Sequence, residues 1–132
     1  MEVAVEIKEH TGVTVRQLRA IQCLNALQFL AAQRQTVTYE TLAIMLGTPS
    51  SGNALSRVIS PILYDVMAFC DRNRLPSLTV LVVRKSGRDI GLPGPGYWKI
   101  NDPENELSFE ERLDVVEHKT AQCFSMYSSL GA

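Results

Sequence analysis

The sequence has no long apolar run, and this absence excludes a membrane-spanning helix. No stretch approaches the roughly 18 consecutive apolar residues that a bilayer requires. Hydrophobic residues nevertheless make up 45% and charged residues 20% of the 132 positions, as in a globular chain. Residues 1–6 are acidic and lack the basic-then-apolar order of a signal peptide. We therefore predict a cytoplasmic protein of one domain, 1–132, with no membrane partner.

Cysteine and histidine are scarce, and those present lack the spacing of a metal site. Cys23, Cys70 and Cys123 are far apart, and each falls within an apolar helical pattern. Buried, reduced thiols are therefore expected. His10 and His118 are isolated from each other and from any cysteine pair. We predict no metal, no cofactor and no catalytic residues, because no carboxylate spacing identifies a general acid and base either.

Net charge is also small, at −1, but its distribution along the chain is uneven. Residues 37–100 contain seven basic and four acidic side chains, whereas residues 101–132 contain two basic and seven acidic ones. A basic surplus favours contact with phosphates. The acidic run 102–117 has two interpretations, a solvated helix side or a segment that imitates or repels nucleic acid.

Apolar residues recur at helical spacing in four segments, near 15–34, 39–46, 52–73 and 108–128. Thr14 and Gln17 have the form of a capping box, which begins the first of these helices. Thr38 and Gly47 are typical of the start and the end of the second. Pro61 is expected to break or kink the third helix, because proline lacks the amide hydrogen that the helix needs.

Two further segments favour β structure. Residues 78–83 are aliphatic and β-branched and predict a buried strand, and 97–100 predict a returning strand in a small antiparallel sheet. Val3, Val5 and Ile7 alternate, so residues 1–13 predict a short strand or an arm. The order of elements is that of a winged helix-turn-helix, with the loop 84–96 as its wing. A helical conformation over 78–83 would contradict that wing.

The fold class predicted is α+β, mostly α: a winged helix-turn-helix with an added N-terminal helix and a C-terminal helix. Residues 1–36 supply the N-terminal arm and helix. Residues 37–100 supply the winged helix-turn-helix. Residues 101–132 supply an acidic linker and the last helix.

The middle segment resembles a known family. Residues 38–43 (Thr-Tyr-Glu-Thr-Leu-Ala) and 47–49 (Gly-Thr-Pro) resemble the Tyr-Gly-x-Leu-Ala and Gly-x-Pro run of the alkylguanine-DNA alkyltransferases and their alkyltransferase-like relatives. Ala54 and Leu55, then Ser60 and Pro61, stand where the family's recognition helix follows. The resemblance extends over about 37–100 and implies a winged DNA-binding domain.

The reactive group of that family is missing here. The transferases carry a Pro-Cys-His-Arg-Val run whose cysteine accepts the alkyl group, whereas residues 76–80 read Pro-Ser-Leu-Thr-Val. Asn53 stands where the family's recognition helix begins with an arginine. The resemblance therefore implies a DNA-binding scaffold without the repair chemistry.

The candidate site combines a helix and a loop. Asn53, Ser56 and Arg57 on the predicted recognition helix are suited to base edges in the major groove, the alternative being a solvated surface. Cations in and before the loop are suited to phosphates, although surface loops often carry charge. The predicted DNA-binding residues are Tyr39, Ser51, Asn53, Ser56, Arg57, Arg84, Lys85 and Arg88.

Residues 91–98 combine three glycines and two prolines with Tyr97 and Trp98. Such a string predicts defined turns, with Trp98 as a core anchor or, alternatively, a base-stacking platform. Two functions remain open: a double-stranded DNA-binding protein, or a protein-interaction module with a winged fold, such as a phage-encoded inhibitor or a defence-system adaptor. The broadly apolar first helix, together with Phe124, Met126 and Tyr127 in the last, also predicts a homodimer.

Overall fold

Helices dominate the computed structural model, which describes residues 2–131. The helices are α1 Glu2–Thr11, α2 Val15–Ala32, α3 Tyr39–Leu46, α4 Gly52–Arg72, α5 Pro95–Asn101 and α6 Phe109–Gly131. The other elements are the strands β1 Val37–Thr38 and β2 Val82–Val83 and a 3-10 helix, Leu78–Leu81. The predicted α+β, mostly α class is confirmed.

Local hydrogen bonds fix the ends of the helices that the sequence predicts. The Thr14 hydroxyl accepts from the Gln17 amide at 3.1 Å, and the Gln17 side chain accepts from the Thr14 amide at 2.8 Å. The Thr38 hydroxyl accepts from the Thr41 amide at 3.2 Å, and Gly47, with φ at 70°, ends α3. The four predicted helices are confirmed to within three residues at each end. The helix α4 contains Pro61 and does not end there.

The N-terminal segment corrects one expectation. A strand or arm over 1–13 is wrong, because Glu2–Thr11 form α1 (Met1 lies outside the described residues). Val3 and Val5 are 67% and 54% exposed, while Ala4 and Ile7 are half-buried. The side chains that pack are therefore three residues apart, as on one side of a helix, and the alternation is incidental.

The predicted antiparallel sheet is also wrong. Residues 78–81 form the 3-10 helix, residues 97–100 lie in α5, and β2 instead pairs with β1 in parallel, with Val37 opposite Val82. All four residues of the 3-10 helix are buried, and a short buried run has no period that separates strand from helix. Pro95 at the first position of α5 has a φ already suited to a helix. No β-hairpin wing therefore forms between residues 2 and 131.

One hydrophobic core joins α2 to α6. It includes Cys23 and Leu27 of α2, Ile59 of α4 and Val82 of β2, each at most 1% exposed. Trp98 is 4% exposed, and its indole nitrogen donates to the Pro93 carbonyl at 2.9 Å. The prediction that Trp98 anchors the core is confirmed, because a buried indole needs such an acceptor.

The three cysteines are free and buried, as predicted. Burial raises the pKa of Cys23 and of Cys123 to about 12, because a thiolate would lose its hydration there. Both thiols are therefore uncharged at neutral pH. None of the described helices has the length and apolar character needed to cross a bilayer.

Candidate nucleic-acid interface

The first two turns of α4 expose a polar stripe. The turn 47–51 joins α3 to α4, as in a helix-turn-helix. Asn53, Ser56 and Arg57 are exposed, and their spacing of three and four residues places them on one side of the helix. Ile59 and Ile62, on the opposite side, are at most 2% exposed. The helix is thus anchored by its apolar face, and its polar face is open to solvent.

Ser51 is the residue that caps α4, but its side chain makes no capping hydrogen bond. The residue is exposed and its backbone is extended. The first amide groups of a helix have no partner within the helix. Ser51 and the start of α4 therefore offer hydrogen-bond donors to an external acceptor.

The loop 84–94 is closed by backbone hydrogen bonds. The Arg84 amide donates to the Leu92 carbonyl, and the Gly91 amide donates to the Arg84 carbonyl, both at 2.9 Å. Leu92 is 1% exposed, so the returning end of the loop lies in the core. Residues 85–88 are exposed. The loop therefore presents its cations from a fixed base.

Tyr39 fixes the end of this loop. Its hydroxyl accepts from the Gly94 amide at 2.7 Å, and a β-carbon at Gly94 would lie 3.2 Å from that oxygen. Burial raises the pKa of Tyr39 above its ordinary value. The half-buried side chain thus joins the start of α3 to the loop.

Replacing Tyr39 with phenylalanine is expected to lower the free energy of unfolding by about 1–3 kcal/mol, because the Gly94 amide loses its acceptor. Urea unfolding measures the effect. The matched control is Tyr64→Phe, since Tyr64 is 57% exposed and should change stability by less than about 0.5 kcal/mol. Equal stability of the two variants would contradict the role given to the Tyr39 hydroxyl.

Four of the predicted residues surround one open cavity of about 270 Å³. They are Tyr39, Ser56, Arg84 and Lys85. The cavity lies between the start of α3, the polar stripe of α4 and the base of the loop. These elements therefore form one surface, hereafter the α4–loop surface.

The remaining predicted residues flank that surface. Asn53 and Arg57 lie on the same stripe as Ser56, and Ser51 begins the helix. Arg88 lines a neighbouring cavity of about 320 Å³, to which Arg84 also contributes. The two cavities share Arg84, so the cations of the loop are contiguous with the stripe.

Sequence reasoning missed a cluster around Arg112. Its guanidinium carbon lies 4.5 Å from the centre of the Trp98 ring, and its Nη2 donates to Asp102 Oδ2 at 2.9 Å. Its Nη1 is 3.8 Å from a carboxylate oxygen of Asp89 in the loop. The cluster therefore ties the loop to α5 and α6.

Asp102 is the acidic member that holds the cluster together. Burial by itself raises the pKa of Asp102, but hydrogen bonds from the Glu106 and Leu107 amides and from Arg112 outweigh it, and the pKa lies below its ordinary value. Asp102 is 8% exposed, so the first residue of the acidic run 102–117 is a structural group. The Asp-Pro pair at 102–103, shortly before a helix, is the sequence feature that could have indicated this structural role of Asp102.

Residues 76–80 include two side-chain hydroxyl groups, those of Ser77 and Thr79. The Ser77 and Thr79 oxygens are 3.4 Å apart. Thr79 lines an apolar cavity of about 330 Å³ beside α4, and no cysteine or histidine lines this cavity. Neither hydroxyl has a general base among its hydrogen-bond partners, which activation as a nucleophile would require.

Comparison with known proteins finds no matching family model, no similar curated protein and no matching solved structure. The functional interpretation therefore depends on the geometry and charge of the α4–loop surface.

Proposed function

We propose that the protein is a non-enzymatic, double-stranded DNA-binding protein of the cytoplasm, either a regulator or a DNA-recognition module. The observation that carries the proposal is the polar stripe of α4 beside the cationic loop. In a helix-turn-helix, the second helix lies in the major groove with its first turns against the bases. Asn53 and Arg57 have the donors and acceptors that pair with adenine and guanine, respectively.

Arg84, Lys85 and Arg88 supply phosphate contacts in this proposal. Phosphate contacts fix the register of a protein on the duplex without reading sequence. Ser51 adds a hydroxyl beside the N-terminus of α4, where the helix dipole favours a negative group. In this proposal the closed loop contacts phosphates beside α4 without the β-hairpin of a wing, which the described residues do not form.

The resemblance to the alkyltransferase family supports the same proposal. This chain lacks the family's reactive cysteine, so the support concerns DNA binding alone. Residues 38–43 cover the start of α3, and Ala54 and Leu55 fall in the first turn of α4. In this proposal, the segment that resembles the family's DNA-binding run is the pair of helices α3 and α4 with the turn between them. DNA recognition, rather than alkyl transfer, is the part of that function which these residues can supply.

Titration of a labelled random-sequence duplex at about 50 mM and about 200 mM salt tests the proposal. Three or four phosphate contacts predict an affinity about 40- to 150-fold lower at the higher salt concentration, because binding releases counterions. Fluorescence anisotropy measures both dissociation constants. No measurable binding at the lower salt concentration, or binding indifferent to salt, would contradict the proposal.

A protein-interaction module is the second candidate, because α3 exposes two adjacent apolar side chains. Ile44 and Met45 are 66% and 47% exposed. A phage-encoded inhibitor or a defence-system adaptor would use such a surface against another protein. Failure of the duplex titration would favour this candidate.

We also propose that the protein forms a homodimer, on the evidence of exposed apolar side chains on α2. Ile21 and Phe29 of α2 are 49% and 60% exposed, which supports it. The last helix supports it less than expected, because Tyr127 is buried and Phe124 and Met126 pack against the core of their own chain.

A further inference from the structure

Ile90 is an exposed apolar residue in the cationic loop. Its side chain is 60% exposed, and Arg88 and Lys85 precede it on the same loop. A single exposed isoleucine is ordinary on a protein surface. Its position is less ordinary, because the surrounding loop is polar, charged and contiguous with the polar stripe of α4.

The backbone on both sides of Ile90 is held in place. Asp89 and Gly91 have φ angles of 58° and 84°, so Ile90 lies between two residues in the left-handed region. The Leu92 amide donates to the Asp89 carbonyl at 3.1 Å, which closes a turn across Ile90. Aspartate enters the left-handed region more readily than most residues, so its φ is compatible with this turn, and the hydrogen bond across it fixes the geometry.

The side chain of Asp89 supplies part of that constraint. Its carboxylate lies 3.8 Å from Arg112, which is itself held over Trp98 in the core. The residue before Ile90 is thus tied to α5 and α6, and the residue after it is hydrogen-bonded to Arg84. Ile90 is therefore presented by a rigid turn.

We propose that Ile90 is an apolar wedge that inserts between base pairs from the minor groove and kinks the duplex. This inference rests on the proposed function. Architectural DNA-binding proteins insert apolar side chains in this way, and the cost of unstacking is offset by the extra surface that the bent duplex contacts. A rigid turn suits the task, since little freedom is lost on insertion.

The geometry of the α4–loop surface is consistent with such a position. The base of the loop and the polar stripe of α4 border the same cavity, so a helix in the major groove brings the loop to the edge of that groove. The adjacent minor groove lies beyond the phosphates that Arg84 and Lys85 would contact. Among the described residues of the loop 84–94, Ile90 is the exposed large apolar side chain, and it follows Lys85 by five residues.

The test uses the full chain and short duplexes that carry 2-aminopurine at successive positions, with a fluorophore pair at the ends. Unstacking raises 2-aminopurine fluorescence, and bending raises energy transfer. We expect both signals for the unmodified protein, about tenfold weaker binding and loss of both signals for Ile90→Ala, and retention of both for Ile90→Leu. The matched control is Ile100→Ala, a 48% exposed isoleucine of α5, which should retain both signals.

The outcomes separate the wedge from the DNA-binding function. Binding by the unmodified protein without unstacking or bending overturns the wedge and leaves the proposed function standing. Unstacking and bending by Ile90→Ala equal to those of the unmodified protein would also overturn the wedge and leave the proposed function standing. No binding by the unmodified protein overturns both. Thermal unfolding of Ile90→Ala, expected to match the unmodified protein, excludes misfolding as the cause of a loss.

Discussion

Replacing Arg57 with alanine is expected to weaken duplex binding by about 5- to 150-fold, which corresponds to about 1–3 kcal/mol. Arg57 is exposed on the polar stripe of α4 and makes no ion pair with any described residue. Its guanidinium is therefore available for the two acceptors of a guanine edge, and alanine leaves them unpaired. Anisotropy titration at low salt measures the loss.

The control for this variant lies on the same helix. Arg72→Ala removes an exposed arginine from the last turn of α4, fifteen residues further along, and is expected to change affinity by less than about twofold. Arg57→Ala should retain the stability of the unmodified protein, since exposed residues away from caps contribute little. Arg72→Ala is expected to lower it by about 0.3–1 kcal/mol through the lost cation at the end of α4, which leaves the protein folded. Equal losses from Arg57→Ala and Arg72→Ala would indicate a general effect of charge and contradict a groove contact.

Replacing Arg84 and Lys85 together is expected to weaken binding to all sequences alike. Removing two phosphate contacts should flatten the dependence of log K on log salt by about two units and lower affinity at low salt by about 10- to 100-fold. The loop should survive the change, because Arg84 closes it through its backbone amide and carbonyl. Titrations over a salt series, on two unrelated duplexes, measure the slope.

A double variant of equal charge change provides the comparison. Lys8→Ala/Arg72→Ala removes two exposed cations from α1 and from the far end of α4. This control should leave the slope within about half a unit of the unmodified protein. An unchanged slope in the Arg84→Ala/Lys85→Ala variant, or the same flattening in both, would contradict phosphate contacts at the loop.

The sequence predicts the helices well because their ends are set locally. The capping box at Thr14 and Gln17, the cap at Thr38 and the left-handed Gly47 each depend on residues within one turn. The polar stripe of α4 follows from the same spacing. Such signals are complete within a few residues, so they can be read without tertiary structure.

The strands and α5 could not be predicted in the same way. Residues 78–83 are aliphatic except for Thr79 and are mostly buried, and only the parallel pairing of Val82 and Val83 with β1 separates strand from 3-10 helix there. Tyr97 and Trp98 are both buried, and the acceptor of the indole lies on the preceding loop. In each case, packing rather than local preference decides the conformation.

The internal order of the site depends on contacts between distant parts of the chain. Tyr39 and Gly94 are 55 residues apart, yet one hydrogen bond between them positions the loop. Arg112 reaches back to Asp102 and Asp89 from α6. The sequence therefore predicts which residues form the stripe and the loop, but not what holds them together.

The burial of all three cysteines makes the protein a convenient host for engineered thiols. Cys23 and Cys123 are 0% and Cys70 is 1% exposed, so a modifying reagent should react with them far more slowly than with a surface thiol while the protein stays folded. A cysteine introduced at the exposed position of Ser56 would be the accessible thiol of the chain. Disulfide trapping against a thiol-tethered base could then test whether this side of α4 meets base edges in a duplex, with every native residue of the core left in place.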